Sequence, residues 1–173
     1  MASSKPQVSV PSAAGPAGTK RSFFHIAARH WLPPLIWTAL ILWASGDQLG
    51  TETTSPWVQW LLTTLFGTVS AAKVDLIHRA LRKLGHVVAY ALLSWLALRA
   101  ARATAHEHSG NPARWKWRWA ALALGLVLFT SSSDELLQSY SKERTGTYRD
   151  VALDCFGAIL AQGVLLVAAR RKR

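Results

Sequence analysis

Residues 151–169 read VALDCFGAILAQGVLLVAA, an apolar run in which Asp154 is the only charged side chain. A helix needs about 20 such residues to cross a hydrocarbon core of about 30 Å, so this stretch reads as a membrane span. Three shorter apolar stretches precede it: Trp31–Ser45, Leu84–Ala100 and Trp117–Thr130. Less apolar flanks can lengthen each of them, with tryptophans at headgroup depth. Pro33 and Pro34 then fall in the first turn of the first span, where a helix tolerates proline. A fifth segment, Trp57–Val69, is short and broken by threonines and Gly67, which suits an interfacial or re-entrant helix better than a crossing. Lys73–Lys83 continues as an amphipathic helix into the second span, with Leu76, Ala80 and Leu84 on one face. The expected fold is all-α: an integral membrane bundle of about four transmembrane helices plus one short interfacial or re-entrant helix.

Composition agrees with that class. Half of the 173 residues are hydrophobic, nine are tryptophan, and only 17% are charged, against about 25% in soluble domains. Such a chain is too apolar to be disordered and has too little polar surface for a water-soluble globule. Cys155 is the only cysteine, which excludes an internal disulfide and a multi-cysteine metal site. The net charge of +11 raises nucleic-acid binding, but the basic residues lie between apolar segments and form no recognition motif. No nucleic-acid partner is expected.

Residues 1–22, rich in Ala, Ser, Pro and Gly, form a disordered tail, residues 23–170 the membrane domain, and residues 171–173 a basic end. Lys20-Arg21 reads as a basic flank to the first span rather than a twin-arginine export signal. The tail, the connection between the second and third long spans, and the C-terminus hold 13 Lys and Arg, with Glu107 as their sole acid. The opposite side holds seven Lys and Arg with seven acids. The positive-inside rule therefore puts both termini in the cytoplasm and requires an even number of crossings.

The remaining polar residues gather in the outer layer. Lys83, His86 and Tyr90 share one helical face at the start of the second span. Asp134, Glu135 and Gln138 extend the third span at its outer end, and Arg144-Thr145-Gly146 lies in the following loop. Asp150 and Asp154 open the last span one turn apart, with Gly157 a turn deeper. Bland roles compete for several of these: a snorkelling anchor for Lys83, a belt aromatic for Tyr90, a helix N-cap for Asp150, close packing for Gly157, an inert thiol for Cys155. Asp154 is harder to dismiss. A carboxylate one turn inside the boundary needs a cation or several donors, and Asp134 and Glu135 beside it would repel it unless a cation, a proton or a base intervenes.

Lys83-x-x-His86-x-x-x-Tyr90, then Asp134-Glu135-x-x-Gln138, Arg144-Thr145-Gly146, Asp150 and Gly157, resemble in order and spacing the signature of the VanZ-like membrane proteins. The likeness covers most of residues 31–169. Two positions depart from that pattern: Leu137 stands where the family commonly has histidine, and Asp154 where it commonly has asparagine. The resemblance implies a small multi-pass protein of the bacterial cytoplasmic membrane. The founding member of that family is associated with resistance to teicoplanin-type glycopeptides, and the resemblance does not by itself imply an enzyme.

Three functions fit this placement. The first is a non-catalytic envelope protein whose partners are membrane lipids and whose outer layer binds a headgroup, a cell-wall precursor or a glycopeptide antibiotic. Lys83, His86, Tyr90, Asp134, Glu135, Gln138, Arg144, Asp150 and Asp154 would line that site. The second is a membrane-interface enzyme acting on a lipid-linked or phosphorylated substrate, with Glu135 or Asp134 as base or metal ligand, His86 as acid or base, and Arg144 as an oxyanion clamp. No recognised metal-ligand spacing is present, so no metal site is assigned, and the sequence leaves any cofactor unknown. The third, an ion or proton pathway, is the weakest, because no charged group lies in the inner half of the first, third or fourth long span.

Overall fold

A computed structural model describes residues 23–45, 51–109, 116–140 and 147–171. They form five helices: α1 (Phe23–Ala44), α2 (Thr51–Phe66), α3 (Ala71–Ser109), α4 (Trp117–Ser139) and α5 (Tyr148–Arg171). Among the described residues there is no strand. The expected tail over 1–22, the loop residues Arg144, Thr145 and Gly146, and Lys172 and Arg173 lie outside them.

Each expected span falls within a helix, except that Ser45 follows the end of α1. Three helices are long and apolar enough to cross a membrane: Ala71–His106, Trp117–Ser139 and Tyr148–Arg171. The 39 residues of α3 extend about 58 Å, nearly twice the hydrocarbon thickness. Arg99 and Arg102, expected in a connection, therefore sit on helical turns.

α1 corrects one expectation. It begins at Phe23 rather than Trp31, so Pro33 and Pro34 are interior and not in the first turn. Arg29 is itself on a helical turn, and the two prolines withhold the N–H groups that the carbonyls of Arg29 and His30 would otherwise receive. The segment around Trp57 is helical, as expected, over 16 residues of α2. It stops where Gly67 adopts φ 76°, a conformation open to a residue without Cβ.

α3 is the hub, packing against α1, α2, α4 and α5. The interior mixes apolar and polar side chains: Tyr90, Leu93, Leu98 and Val127 are buried beside Ser94, Ser131, Asp134, Gln138 and Asp154, while Phe129, Phe156, Val164 and Leu128 face outward. Large apolar side chains on the outside suit helices whose outer surface meets lipid. Gly157 sets the α3–α5 distance, since a Cβ there would stand 2.6 Å from the Val87 carbonyl oxygen. The indole N–H of Trp37 donates to the Ala89 carbonyl at 2.9 Å and ties α1 to α3.

Candidate functional site: a buried acid–histidine cluster

Three helical stripes meet at one level. On α3 the stripe is His86, Tyr90 and Ser94; on α4 it is Ser131, Asp134, Glu135 and Gln138; on α5 it is Asp154, Ala158 and Gln162. The i, i+4 repeat keeps each set on one face, and the close approach at Gly157 presses the α3 and α5 stripes together.

His86, Asp134, Glu135 and Asp154 each present one ligand-type atom, all within 4.8 Å of one another. Asp134 and Asp154 are completely buried, and Glu135 retains only 7% of its exposure. The Tyr90 hydroxyl donates to Asp134 Oδ2 at 2.9 Å. The Ser131 hydroxyl donates to Asp154 Oδ2 at 2.6 Å. The Thr147 backbone N–H donates to Glu135 Oε2 at 2.7 Å. His86 Nδ1 lies 3.3 Å from Asp154 Oδ1, an ion-pair distance without the alignment of a hydrogen bond. The other carboxylate oxygens, Asp134 Oδ1, Glu135 Oε1 and Asp154 Oδ1, are buried with no hydrogen-bond partner.

Two cavities flank the cluster. The first, about 390 Å³, runs between α1 and α3, lined by Trp37, Leu40, Ile41, Trp43 and Ala89, and ends on Arg82, His86, Tyr90 and Asp134. The second, about 350 Å³, is polar and is lined by Arg79, Arg82, Lys83, His86, Glu135, Gln138, Thr147, Arg149 and Asp150. Arg82 and His86 belong to both.

The residues singled out from the sequence separate accordingly. His86, Glu135, Asp134 and Asp154 converge. Tyr90 is fully buried behind Asp134, not an aromatic at the lipid boundary. Gln138 is buried and accepts from Arg82 Nη2 at 3.3 Å. Lys83 is exposed and lines only the polar cavity. Asp150 lies in the first turn of α5 and is not its N-cap; Thr147 precedes the helix, and its hydroxyl donates to Asp150 Oδ2 at 2.9 Å. Gly157 has the close-packing role that the sequence offered as an alternative.

Sequence reasoning missed Arg82, Ser131, Thr147 and the apolar wall around Trp37. Arg82 lies four residues before His86, and Ser131 three before Asp134, so helical spacing carried a signal for both. Deeper in the bundle, Gln162 Nε2 donates to Ser94 Oγ at 2.8 Å, which extends the polar contacts inward without adding charge.

The VanZ/LLP1 family model matches residues 30–169, which include α2, α3, α4 and all but the last two residues of α5. The chain belongs to the VanZ/LLP1 family. No curated protein and no solved structure matches it. Within this VanZ/LLP1 protein the matched region holds every member of the cluster and both cavities.

Proposed function

We propose that this VanZ/LLP1 protein is a four-span protein of the bacterial cytoplasmic membrane, with both termini cytoplasmic and α2 lying in the outer interface. Its outer layer receives an amphiphile with an anionic headgroup: a membrane lipid, a lipid-linked cell-wall precursor or a glycopeptide antibiotic. The carrying observation is the pairing of an apolar cavity with a polar one across Arg82 and His86. An acyl or prenyl chain suits the wall of Trp37, Leu40 and Ile41, and an anionic group suits Arg79, Arg82, Lys83 and Arg149. These are guanidinium and ammonium groups at headgroup depth, where a phosphate or carboxylate has the least distance to travel out of its usual layer.

Native mass spectrometry of the detergent-purified protein tests the reading. An anionic lipid or undecaprenyl phosphate is expected to stay bound to the wild type and to be lost from a double Arg82→Ala, Lys83→Ala variant. Equal retention by both proteins, or a preference for zwitterionic lipid, would sink it.

The convergence of an imidazole with three carboxylates favours a second reading, a membrane-interface enzyme in which Glu135 or Asp134 is the base and His86 the acid or base. Turnover of a labelled panel of phosphorylated lipids, abolished by Glu135→Gln, supports it; full activity in that variant removes Glu135 as the base.

A further inference from the structure

The three carboxylates of the cluster share one pattern. Each has one oxygen fixed by a donor from a different place in the chain: Tyr90 on α3, Ser131 on α4, and the Thr147 backbone before α5. Each leaves its second oxygen buried and without a hydrogen bond, and that of Asp154 faces His86 Nδ1 at 3.3 Å. Among the described residues no Lys or Arg is ion-paired to any of the three acids. Arg82, one helical turn before His86, donates to Gln138 instead. Repulsion between carboxylates held this close makes such an arrangement costly unless positive charge is shared among them.

We infer that His86, Asp134, Glu135 and Asp154 are the ligands of one divalent transition-metal cation. Metal–ligand bonds of about 2.0–2.2 Å place adjacent donors about 3 Å apart and opposite ones about 4.3 Å apart. Four donor atoms within 4.8 Å of one another are near enough for a single ion to draw them into its coordination shell. The bonds from Tyr90, Ser131 and the Thr147 N–H are the outer contacts that orient coordinating carboxylates and set which oxygen faces the ion. An oxygen-rich set with one imidazole and no thiolate selects Mn²⁺ or Zn²⁺ over the softer ions. Spacing along the chain gave no sign of this site because its ligands come from three helices, two of them adjacent in sequence on one turn.

His86 and Asp134 border the apolar cavity, and His86 and Glu135 border the polar one. The cation thus stands where the two meet, with a coordination position open to a phosphate oxygen. Gln138 Nε2, buried and unpartnered, is a donor for that oxygen. The metal site rests on the cluster's own geometry; only this last step, the phosphate, depends on the amphiphile reading.

The experiment uses tag-free protein in detergent, stripped with EDTA, reloaded with MnCl₂ or ZnCl₂ and desalted. The wild type should retain about one ion per chain and melt at a higher temperature with the ion than without it. Asp154→Asn and Glu135→Gln should each weaken retention by about tenfold or more and abolish the thermal shift, with helical circular dichroism unchanged. Asp75→Asn, in the exposed pair with Arg79, should retain the ion as the wild type does. Should the buried variants fail to fold, the Mn²⁺-loaded wild type decides: pulsed electron paramagnetic resonance should show coupling to an imidazole nitrogen. A wild type that retains neither ion, an Asp154→Asn variant that retains as much, or a Mn²⁺ spectrum without nitrogen coupling overturns the site. These measurements are made without added lipid, so a failed metal site and a failed lipid site give different results.

Discussion

Gly157 and Val87 are in backbone contact: a Cβ at position 157 would stand 2.6 Å from the Val87 carbonyl oxygen and 3.1 Å from its Cα. Val87 follows His86, and Gly157 lies one turn beyond Asp154, so this contact sets the distance across which His86 and Asp154 face each other. Backbone cannot yield as a flexible side-chain end does. Gly157→Ala should therefore destabilise the bundle by about 1–3 kcal/mol, the cost of overpacking, measured by thermal melting in detergent. Gly125→Ala is the control. Nothing lies within 4 Å of the added methyl there, so that variant should match or exceed wild-type stability.

The Tyr90 and Ser131 hydroxyls serve different carboxylates of one cluster. Tyr90→Phe would leave both oxygens of Asp134 without a hydrogen bond, and Ser131→Ala would leave Asp154 with only its ion-pair contact to His86. Each should cost about 1–3 kcal/mol, the penalty for an unsatisfied buried acceptor. Because the two acids lie in one network, the double variant should lose an amount different from the sum of the single losses. Strict additivity in denaturation measurements would mean the carboxylates do not interact, and would contradict their observed convergence.

The deeper polar contact should behave otherwise. Gln162 donates to Ser94 Oγ and, at 3.3 Å, to the Ser94 carbonyl. With Gln162→Leu, the Ser94 hydroxyl keeps the Ala158 carbonyl as an acceptor at 3.4 Å. The loss should stay near the average of about 0.6 kcal/mol found for interhelical hydrogen bonds in membranes. Lipid retention should be unchanged in this variant. A large loss of either would extend the functional layer toward the membrane centre.

The legible part of this fold was its long apolar runs. Val151–Ala169 and Trp117–Thr130 each read as a span because length and hydropathy are local properties, and both lie inside observed helices. The candidate residues were legible as residue types that do not belong near lipid: Asp154, Asp134 and Glu135 stand out by chemistry alone. Their pairing was not legible. Lys83 and Arg82 are both near the His86 face by helical spacing, and only the packing of α4 on α3 decides that Gln138 meets Arg82. Trp37 resembled any boundary tryptophan in the sequence, and its role emerges from the Ala89 carbonyl, 52 residues away. The start of α1 was misplaced because basic flanks and first turns are made from the same residues.

The crossing of α1 can be decided by which side each terminus occupies. α3, α4 and α5 are the helices long and apolar enough to span. If they alone cross, the chain ends lie on opposite faces. If α1 also crosses, both ends share one face, which the distribution of Lys and Arg predicts to be the cytoplasmic one. Its passage is helped by Trp37 and by the outward-facing Leu32, Leu35, Ile36 and Leu40, and hindered by Arg29 near its N-terminal end. A Cys155→Ser background removes the native thiol, and single cysteines can then be placed by Lys5→Cys, Lys142→Cys and Lys172→Cys. With a membrane-impermeant maleimide on intact cells, the Lys142→Cys protein should label at once, and the other two only after permeabilisation. External labelling of the Lys5→Cys protein would mean that α1 does not cross, and would leave the apolar cavity between α1 and α3 open to the interface rather than to the lipid interior.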